Sequence, residues 1–433
     1  MQLKKKNRPV SQALAVATCT LLSNVAQNVA AHDVEGKDLD YTTSFLDYVE
    51  RDRVKVREID QTISWQMNDD INLSGSFIFD SITGSTPTGA LKPNGQQSDT
   101  STSASGSAGA GGLGGGTSNN ATFIDPLAPI VDRRVAVSGQ ITHELNRTRA
   151  YSAGALFSQE DDYSSVGLNG SYIMELNNKL TTLEFGTAGS YDIVSPINGS
   201  PAPDRLTNVN DVFDLEDGEK TTIDLLISAT QILNHRTVTK ASLTTGVTSG
   251  YLSDPYKVVT LRNSTSGLAD KYFHERRPDS RNRTSINFDI SHQPFEEDVL
   301  SIGYRYFWDN WDVTSHTLDV RYRRQINNKS YYMPHFRFYS QSAADFYVPY
   351  LNADDQDPDA AGTPSGLNAP EYASADSRLD EMKSYTLGIK YGIEGPLGHF
   401  RVRYEYIGQR GTVGEFTDLN ARFFQLSWTI NIQ

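Results

Sequence analysis

Twelve charged side chains of this 433-residue chain stand at positions that alternate with apolar neighbours, a spacing that assigns them to a wall rather than to a reaction centre. Asp80, Glu184, Asp192, Asp224 and Asp289 supply the acidic members. Arg305, Arg321, Arg323, Arg337, Lys390, Arg401 and Arg403 follow them as the basic members, with Asp319 and Glu405 interspersed. If the apolar faces point to lipid, these charges line an interior. Acidic and basic arcs on different parts of one wall would then set up a transverse field that orients polar solutes and selects ions. A lumen closed by salt bridges, in which the same charges satisfy one another, is the alternative.

Reactive chemistry has less to stand on. The eight histidines, among them His143, His235, His292, His316 and His335, are scattered, and neither a nucleophile elbow nor an HExxH spacing accompanies them. His335, two residues from Arg337 on the same strand face, is the best single candidate for a hydrolase, against the plainer reading of a satisfied lumen histidine. Asp355, Asp357 and Asp359 alternate within Asp354-Asp355-Gln356-Asp357-Pro358-Asp359, a donor pattern that hard cations favour. The run lacks a glycine after its third carboxylate and a closing Glu, so a solvated acidic loop is expected and no metal site is assigned. Nothing in the sequence calls for a cofactor.

The elements that must position these residues are strands. Val166, Leu168, Tyr172, Met174 and Leu176 share one face while Gly167, Asn169, Ser171 and Glu175 fill the other. The same period of two recurs at residues 183–192, 222–230, 240–251, 300–308, 400–406 and 424–432. Tight polar turns stand at Asn68-Asp69-Asp70, Asn146-Arg147, Asn177-Asn178-Lys179, Asn234-His235-Arg236, Asn327-Asn328-Lys329 and Gly395-Pro396-Leu397-Gly398. Long excursions, near residues 83–132, 193–219, 252–281 and 342–380, alternate with them. Short turns at one end and long loops at the other are the pattern of an outer-membrane barrel. The count is about sixteen antiparallel strands. In the first pair Val54 and Val56 are out of phase with Ile59, Ile63 and Trp65, which predicts a bulge or a non-membrane entry segment. Aromatics toward the strand ends, including Tyr191, Tyr251, Tyr304, Tyr332, Tyr385 and Trp428, fit interfacial girdles.

Composition agrees. With 53 acidic and 39 basic residues the net charge is −14, which argues against nucleic acid as a partner. A hydrophobic fraction of 37% rules out a helical membrane protein but not a barrel, whose strands expose only one apolar face. Lys4, Lys5, Lys6 and Arg8, a short apolar core and small residues ending at Ala30-Ala31 read as a secretory leader over residues 1–31. Its removal takes four positive charges and no negative ones, moving the net charge from −14 to −18. Cys19, the single cysteine, leaves with it. The barrel domain is then residues 32–433, including a flexible Gly/Ser-rich loop at about 91–121.

Asp80-Ser81-Ile82-Thr83-Gly84-Ser85-Thr86-Pro87-Thr88-Gly89-Ala90 follows a strand and opens onto that Gly/Ser-rich stretch. With the Met-Gln-Leu-Lys-Lys-Lys leader, it resembles the proteobacterial family catalogued as domain of unknown function 3570, whose members share an Asp-x-Leu-Thr-Gly-Ala-Ser-Pro-Asn-Gly-Ala-like segment. The resemblance covers essentially the whole chain. Ile82 replaces Leu, Thr86 stands between Ser85 and Pro87 where the family has Ser-Pro adjacent, and the chain ends Asn431-Ile432-Gln433 where insertion signals end in an aromatic. Asp80, Thr83, Gly84, Ser85, Pro87, Gly89 and Ala90 form the family-like loop motif, read as a structural anchor in which Asp80 accepts hydrogen bonds from the amides that follow. Membership implies an outer-membrane protein of a Gram-negative bacterium, and the family's gene neighbours imply extracytoplasmic redox or metal handling.

The expected protein is therefore an all-β transmembrane barrel acting as a porin-like channel for small polar solutes. A plugged barrel that docks partners in a redox or metal-handling system is the second reading, and an outer-membrane hydrolase the third. Expected partners are outer-membrane lipid and lipopolysaccharide, the barrel-assembly machinery during insertion, and periplasmic redox proteins.

Overall fold

Strands with one apolar and one polar face leave unpaired amides at every open edge, and in hydrocarbon each unpaired group costs several kcal/mol, so the sheet must close. The computed structural model describes residues 39–91, 127–196, 206–209, 217–352, 357–358, 364–365, 370–411 and 418–432. Sixteen of its strands form one closed antiparallel barrel. In chain order they are β1 (Leu39–Glu50), β2 (Lys55–Asn68), β3 (Ile71–Pro87), β4 (Leu127–Asn146), β5 (Arg149–Gln159), β6 (Tyr163–Leu176), β7 (Thr181–Val194) and β8 (Gly218–Asn234). They continue with β9 (Thr237–Gly250), β10 (Ser280–His292), β11 (Val299–Asp309), β12 (Thr314–Asn327), β13 (Ser330–Gln341), β14 (Met382–Gly395), β15 (Gly398–Gly411) and β16 (Leu419–Ile432). Each strand pairs with its chain neighbours, and β1 closes the ring against β16 from Leu39↔Ile432 to Glu50↔Ala421.

Local chemistry sets the short turns. At four of them an asparagine carboxamide oxygen accepts from backbone amides two or three residues on: Asn68 from Asp70 and Ile71, Asn146 from Thr148, Asn234 from Arg236, Asn327 from Lys329 and Ser330. This Asx geometry turns the chain without help from the rest of the fold.

The outer face is apolar and exposed, as with Phe77, Val137, Leu168, Ile223, Ile286, Leu387 and Leu426. No helix among the described residues is long and apolar enough to cross a membrane. Apart from Ile130 on β4, the most deeply buried large apolar side chains are not in the barrel wall. Val258, Val259, Leu261 and Phe273 lie in a small sheet built by the long loops, in the order 351–352, 258–262, 269–274, 207–208.

Three expectations change. Val54 and Val56 mark no bulge, since the β1–β2 register is unbroken from Leu39↔Trp65 to Val49↔Lys55. They are out of phase because they face inward, where Val54, Ile82 and Ile130 form a buried apolar cluster with Val56 packed on it. The first excursion begins at residue 88 rather than 83, because Thr83–Pro87 stay paired with Leu127–Val131. Tyr251 belongs to no girdle; its ring packs over Gly218 and its hydroxyl is buried. The leader at 1–31 and the Gly/Ser-rich segment beyond Leu91 lie outside the described residues.

Candidate functional site

Opposite the exposed apolar positions, every strand turns its other face inward, and all twelve of the charged positions singled out above lie on that face. The acidic members are mostly matched. Asp80 accepts from Arg134 Nε at 2.6 Å; Asp192 lies 3.8 Å from Lys220, Glu184 3.6 Å from Lys240 and Asp224 3.3 Å from Arg283. Asp289 stands opposite Lys240 across β9–β10. Asp80 therefore takes an arginine from β4 rather than the following amides, because an unscreened cation binds a carboxylate more strongly than neutral N–H groups do. Arg134, Lys220, Lys240 and Arg283 are the partners that one-sided reading of the wall does not identify.

The basic members are less matched. Arg321 pairs with Asp319 at 3.0 Å and Arg403 with Glu405 at 2.7 Å. Arg337 sits across from Asp319. Lys390, Arg305, Arg323 and Arg401 have no ion pair among the described residues. Arg323 lies over the Tyr331 ring and donates to Gln325; Arg305 lies near the Phe307 ring; Arg401 donates to Thr429 at 2.5 Å and keeps a buried Nε without a partner. Register brings these charges together, since Met333, Lys390 and Arg403 are consecutive cross-strand neighbours and Gly392 faces Arg401. The result is a basic arc over β12–β15 in the half of the barrel nearest the short turns.

Across the ring the wall is small and neutral. Ser76 and Ser138 share a hydrogen bond at 2.7 Å, Ser152 and Ser171 at 2.8 Å; nearer the closure, Thr42 meets Thr429 at 2.8 Å and Ser44 donates to Ser427 at 3.0 Å. Such side chains cannot fill a sixteen-stranded interior. The Arg321 side chain is 47% exposed although it points into the barrel, so solvent reaches it there.

His335 is held between two carboxylates, with Nε2 2.9 Å from Asp319 and Nδ1 2.7 Å from Glu405. Both ring nitrogens are occupied, which makes it a strut across β12, β13 and β15. Asp355 and Asp359 lie outside the described residues, and Asp357 pairs through its backbone with Ser365.

At the other end the long loops form a cap over the mouth. Glu275, Arg277, Asp376 and Arg378 interlock there: Arg277 reaches Glu275 at 2.6 Å and Asp376 at 2.8 Å, and Arg378 binds Asp376 and, at 3.0 Å, Asp254. Gln341 on β13 ties the cap to the rim by donating to the carbonyls of Arg378 and Asp380. The family-like motif docks here. The Thr88 carbonyl accepts from Val258 N, the Pro87 carbonyl accepts from Lys257, and Ala90 is buried against Val258 and Tyr272. Gly89 has φ +91°, and a Cβ there would strike the Val258 carbonyl, so only glycine fits. Gly84, with φ +123°, meets Arg53 of the β1–β2 turn in the same way. Thr83 and Ser85 stay in the strand ladder, with Ser85 N donating to the Arg53 carbonyl at 3.4 Å.

Burial pushes the His274 imidazole in this cap down to about 4. A depressed histidine contributes stability that is fully present above its ordinary value of 6.5 and is lost as pH falls toward 4. At about 1.4 kcal/mol per unit, and discounting for partial exposure, the loss is roughly 2–3 kcal/mol. Limited proteolysis of residues 251–279 should therefore accelerate between pH 7 and pH 4.5, and His274→Leu should flatten that profile; identical profiles would contradict the assignment.

Beside the cap, Asp132 on β4 and Glu160 and Asp162 in the β5–β6 turn bring one carboxylate oxygen each within 4.8 Å of one another, all three buried. Burial, then Asp132 and Glu160, push the Asp162 carboxyl up to about 8. Sequence reasoning missed this group. Glu160-Asp161-Asp162 is visible as an acidic turn, but Asp132 lies 28 residues earlier on another strand.

A closed antiparallel barrel with an apolar outer face, a polar lumen, short turns at one end and long loops at the other defines an outer-membrane-type transmembrane β-barrel protein. The chain belongs to the family described as protein of unknown function DUF3570, whose model matches residues 11–429. No curated protein matches it. Among solved structures it is similar to OccK2 (OpdF) of Pseudomonas aeruginosa in complex with glucuronate, at 9% identity and TM-score 0.40, covering 92% of this chain and 99% of that one. OpdK of Pseudomonas aeruginosa with vanillate matches at 10% identity and TM-score 0.38, covering 92% and 100%. The ferric enterobactin receptor PfeA of the same organism matches at 10% identity and TM-score 0.42, covering 87% of this chain and 54% of that one.

Proposed function

We propose that this barrel is an outer-membrane conduit for small anionic solutes, with a basic vestibule facing the periplasm and a folded cap over its outer mouth. The observation that carries the reading is the unpaired cationic arc of Arg323, Lys390 and Arg401 facing a wall of small hydroxyls across a wetted lumen. Fixed cations lining a water-filled passage raise the local concentration of anions and repel cations. Paired carboxylates on β3, β7 and β8 contribute little net field, so the vestibule is basic rather than evenly split between two arcs. Export through a cleaved leader, insertion by the assembly machinery and contact with lipopolysaccharide belong to the same reading, and His335 is assigned no catalytic role.

Planar-bilayer recording of the purified chain tests this. Conductance with a reversal potential of the anion-selective sign in a KCl gradient is expected. Cation selectivity would remove the solute class, and the absence of conductance would favour the second reading, a plugged barrel that docks periplasmic redox proteins. That second reading draws on the cap, where Lys257, Glu275, Arg277 and Asp376 are buried as in a folded domain rather than spread as loose loops.

A further inference from the structure

The mouth of the barrel contains three carboxylates arranged as a cation site. Asp132 is fully buried, Asp162 is 4% exposed and Glu160 is 7% exposed, on two segments brought together only by the barrel wall. Asp161 N donates to Asp132 Oδ1 at 3.4 Å, and the Tyr256 hydroxyl donates to Asp162 Oδ2 at 3.3 Å. The remaining oxygens, Asp132 Oδ2 and Asp162 Oδ1, are buried without a hydrogen-bond partner. A buried carboxylate oxygen left bare carries a desolvation penalty, and two of them beside a third carboxylate add like-charge repulsion. Among the described residues no Lys, Arg or His forms a salt bridge with Asp132 or Asp162.

We propose that Asp132, Glu160 and Asp162 bind one divalent cation of the calcium type, which fastens the cap to the barrel wall. Calcium takes six to eight oxygens at about 2.3–2.6 Å, so two ligands on opposite sides of the ion stand about 5 Å apart. The three ligand atoms lie within 4.8 Å of one another, inside that limit. Magnesium holds its ligands near 2.0–2.1 Å in a strict octahedron, a shell closer to 4 Å across, and fits less well. The two bare oxygens, Asp132 Oδ2 and Asp162 Oδ1, can bind the ion without breaking an existing hydrogen bond.

The position gives the ion its role. Asp132 belongs to β4, Glu160 and Asp162 to the β5–β6 turn, and Tyr256 to the loop between β9 and β10, so one ion would join two wall segments and, through Tyr256, the cap. A cavity of about 60 Å³ lined by Asp162, Tyr163, Pro255 and Tyr256 adjoins the group and leaves room for coordinated water. This group is separate from Asp355, Asp357 and Asp359, and its role does not depend on what the lumen carries.

The test uses the full chain refolded in detergent without lipopolysaccharide, treated with chelator and titrated with calcium chloride by isothermal calorimetry. One calcium per chain is expected, with slower proteolysis of residues 251–279 on binding and at least tenfold weaker response to magnesium chloride. Asp132→Asn and Asp162→Asn should each weaken binding at least tenfold. Both variants remove a charge from a repulsive group, so they should retain the heat-modifiable mobility of a closed barrel. Absence of stoichiometric binding by the wild type, or undiminished binding by both folded variants, would overturn the site. Should either variant fail to fold, Glu160→Gln and terbium luminescence of the wild type, displaced by calcium, provide the same decision.

Discussion

Asp376→Asn is expected to open the mouth of the barrel while leaving the barrel closed. Asp376 is 2% exposed and accepts from Arg277 Nη2 at 2.8 Å and from the amide and the guanidinium of Arg378. Burial alone would raise its carboxyl, but Arg378, Lys257 and Arg277 outweigh that and hold it well below the usual carboxylate range. A depressed acid contributes stability present above its unfolded value near 3.9 and lost as pH falls below it, so the contribution is complete at neutral pH. Removing the charge leaves the buried Arg277 guanidinium, the more exposed Arg378 and the buried Lys257 with Glu275 and Asp254 as the remaining carboxylates. Breaking a buried pair by deleting one partner costs about 3–5 kcal/mol. Rapid protease cleavage in residues 251–279 and 370–381, with unchanged heat-modifiable mobility, is the expected readout. Cleavage at the wild-type rate would mean that the network does not hold the cap.

The second large effect is on ion selectivity. Replacing Arg323, Lys390 and Arg401 together by Glu should turn an anion-selective conductance into a cation-selective one. Each charge acts on a passing ion with about 1 kcal/mol at close range in water, so reversing three of them shifts the relative barriers by several kcal/mol. None of the three holds a salt bridge among the described residues, and Arg323 is exposed to the lumen, so the fold should tolerate the change. The reversal potential in a KCl gradient should change sign. An unchanged sign, with conductance retained, would show that the arc does not line the narrowest part of the path.

These two experiments address parts of the molecule that the sequence reveals to different degrees. Lys390, Arg401 and Arg403 could be placed inside because each alternates with Tyr391, Val402 and Tyr404, and in a strand the face follows from parity alone. The asparagine turns were equally legible, since Asx geometry is completed within three residues. Asp376 gave no such signal. Its partner Arg277 lies 99 residues away, and neither segment has periodicity.

Period two by itself determined a barrel, its two faces and the end at which the long loops gather, because those depend on steric alternation and on the rule that no edge stays open in lipid. Only the tertiary structure decided which charges cancel and what the loops become. Asp80 meets Arg134, Lys257 meets the Pro87 carbonyl, and Asp132 meets Asp162 through closure of the ring and docking of loops far apart in sequence. Electrostatic pairing depends on distance in space, which strand alternation does not encode beyond the neighbouring strand.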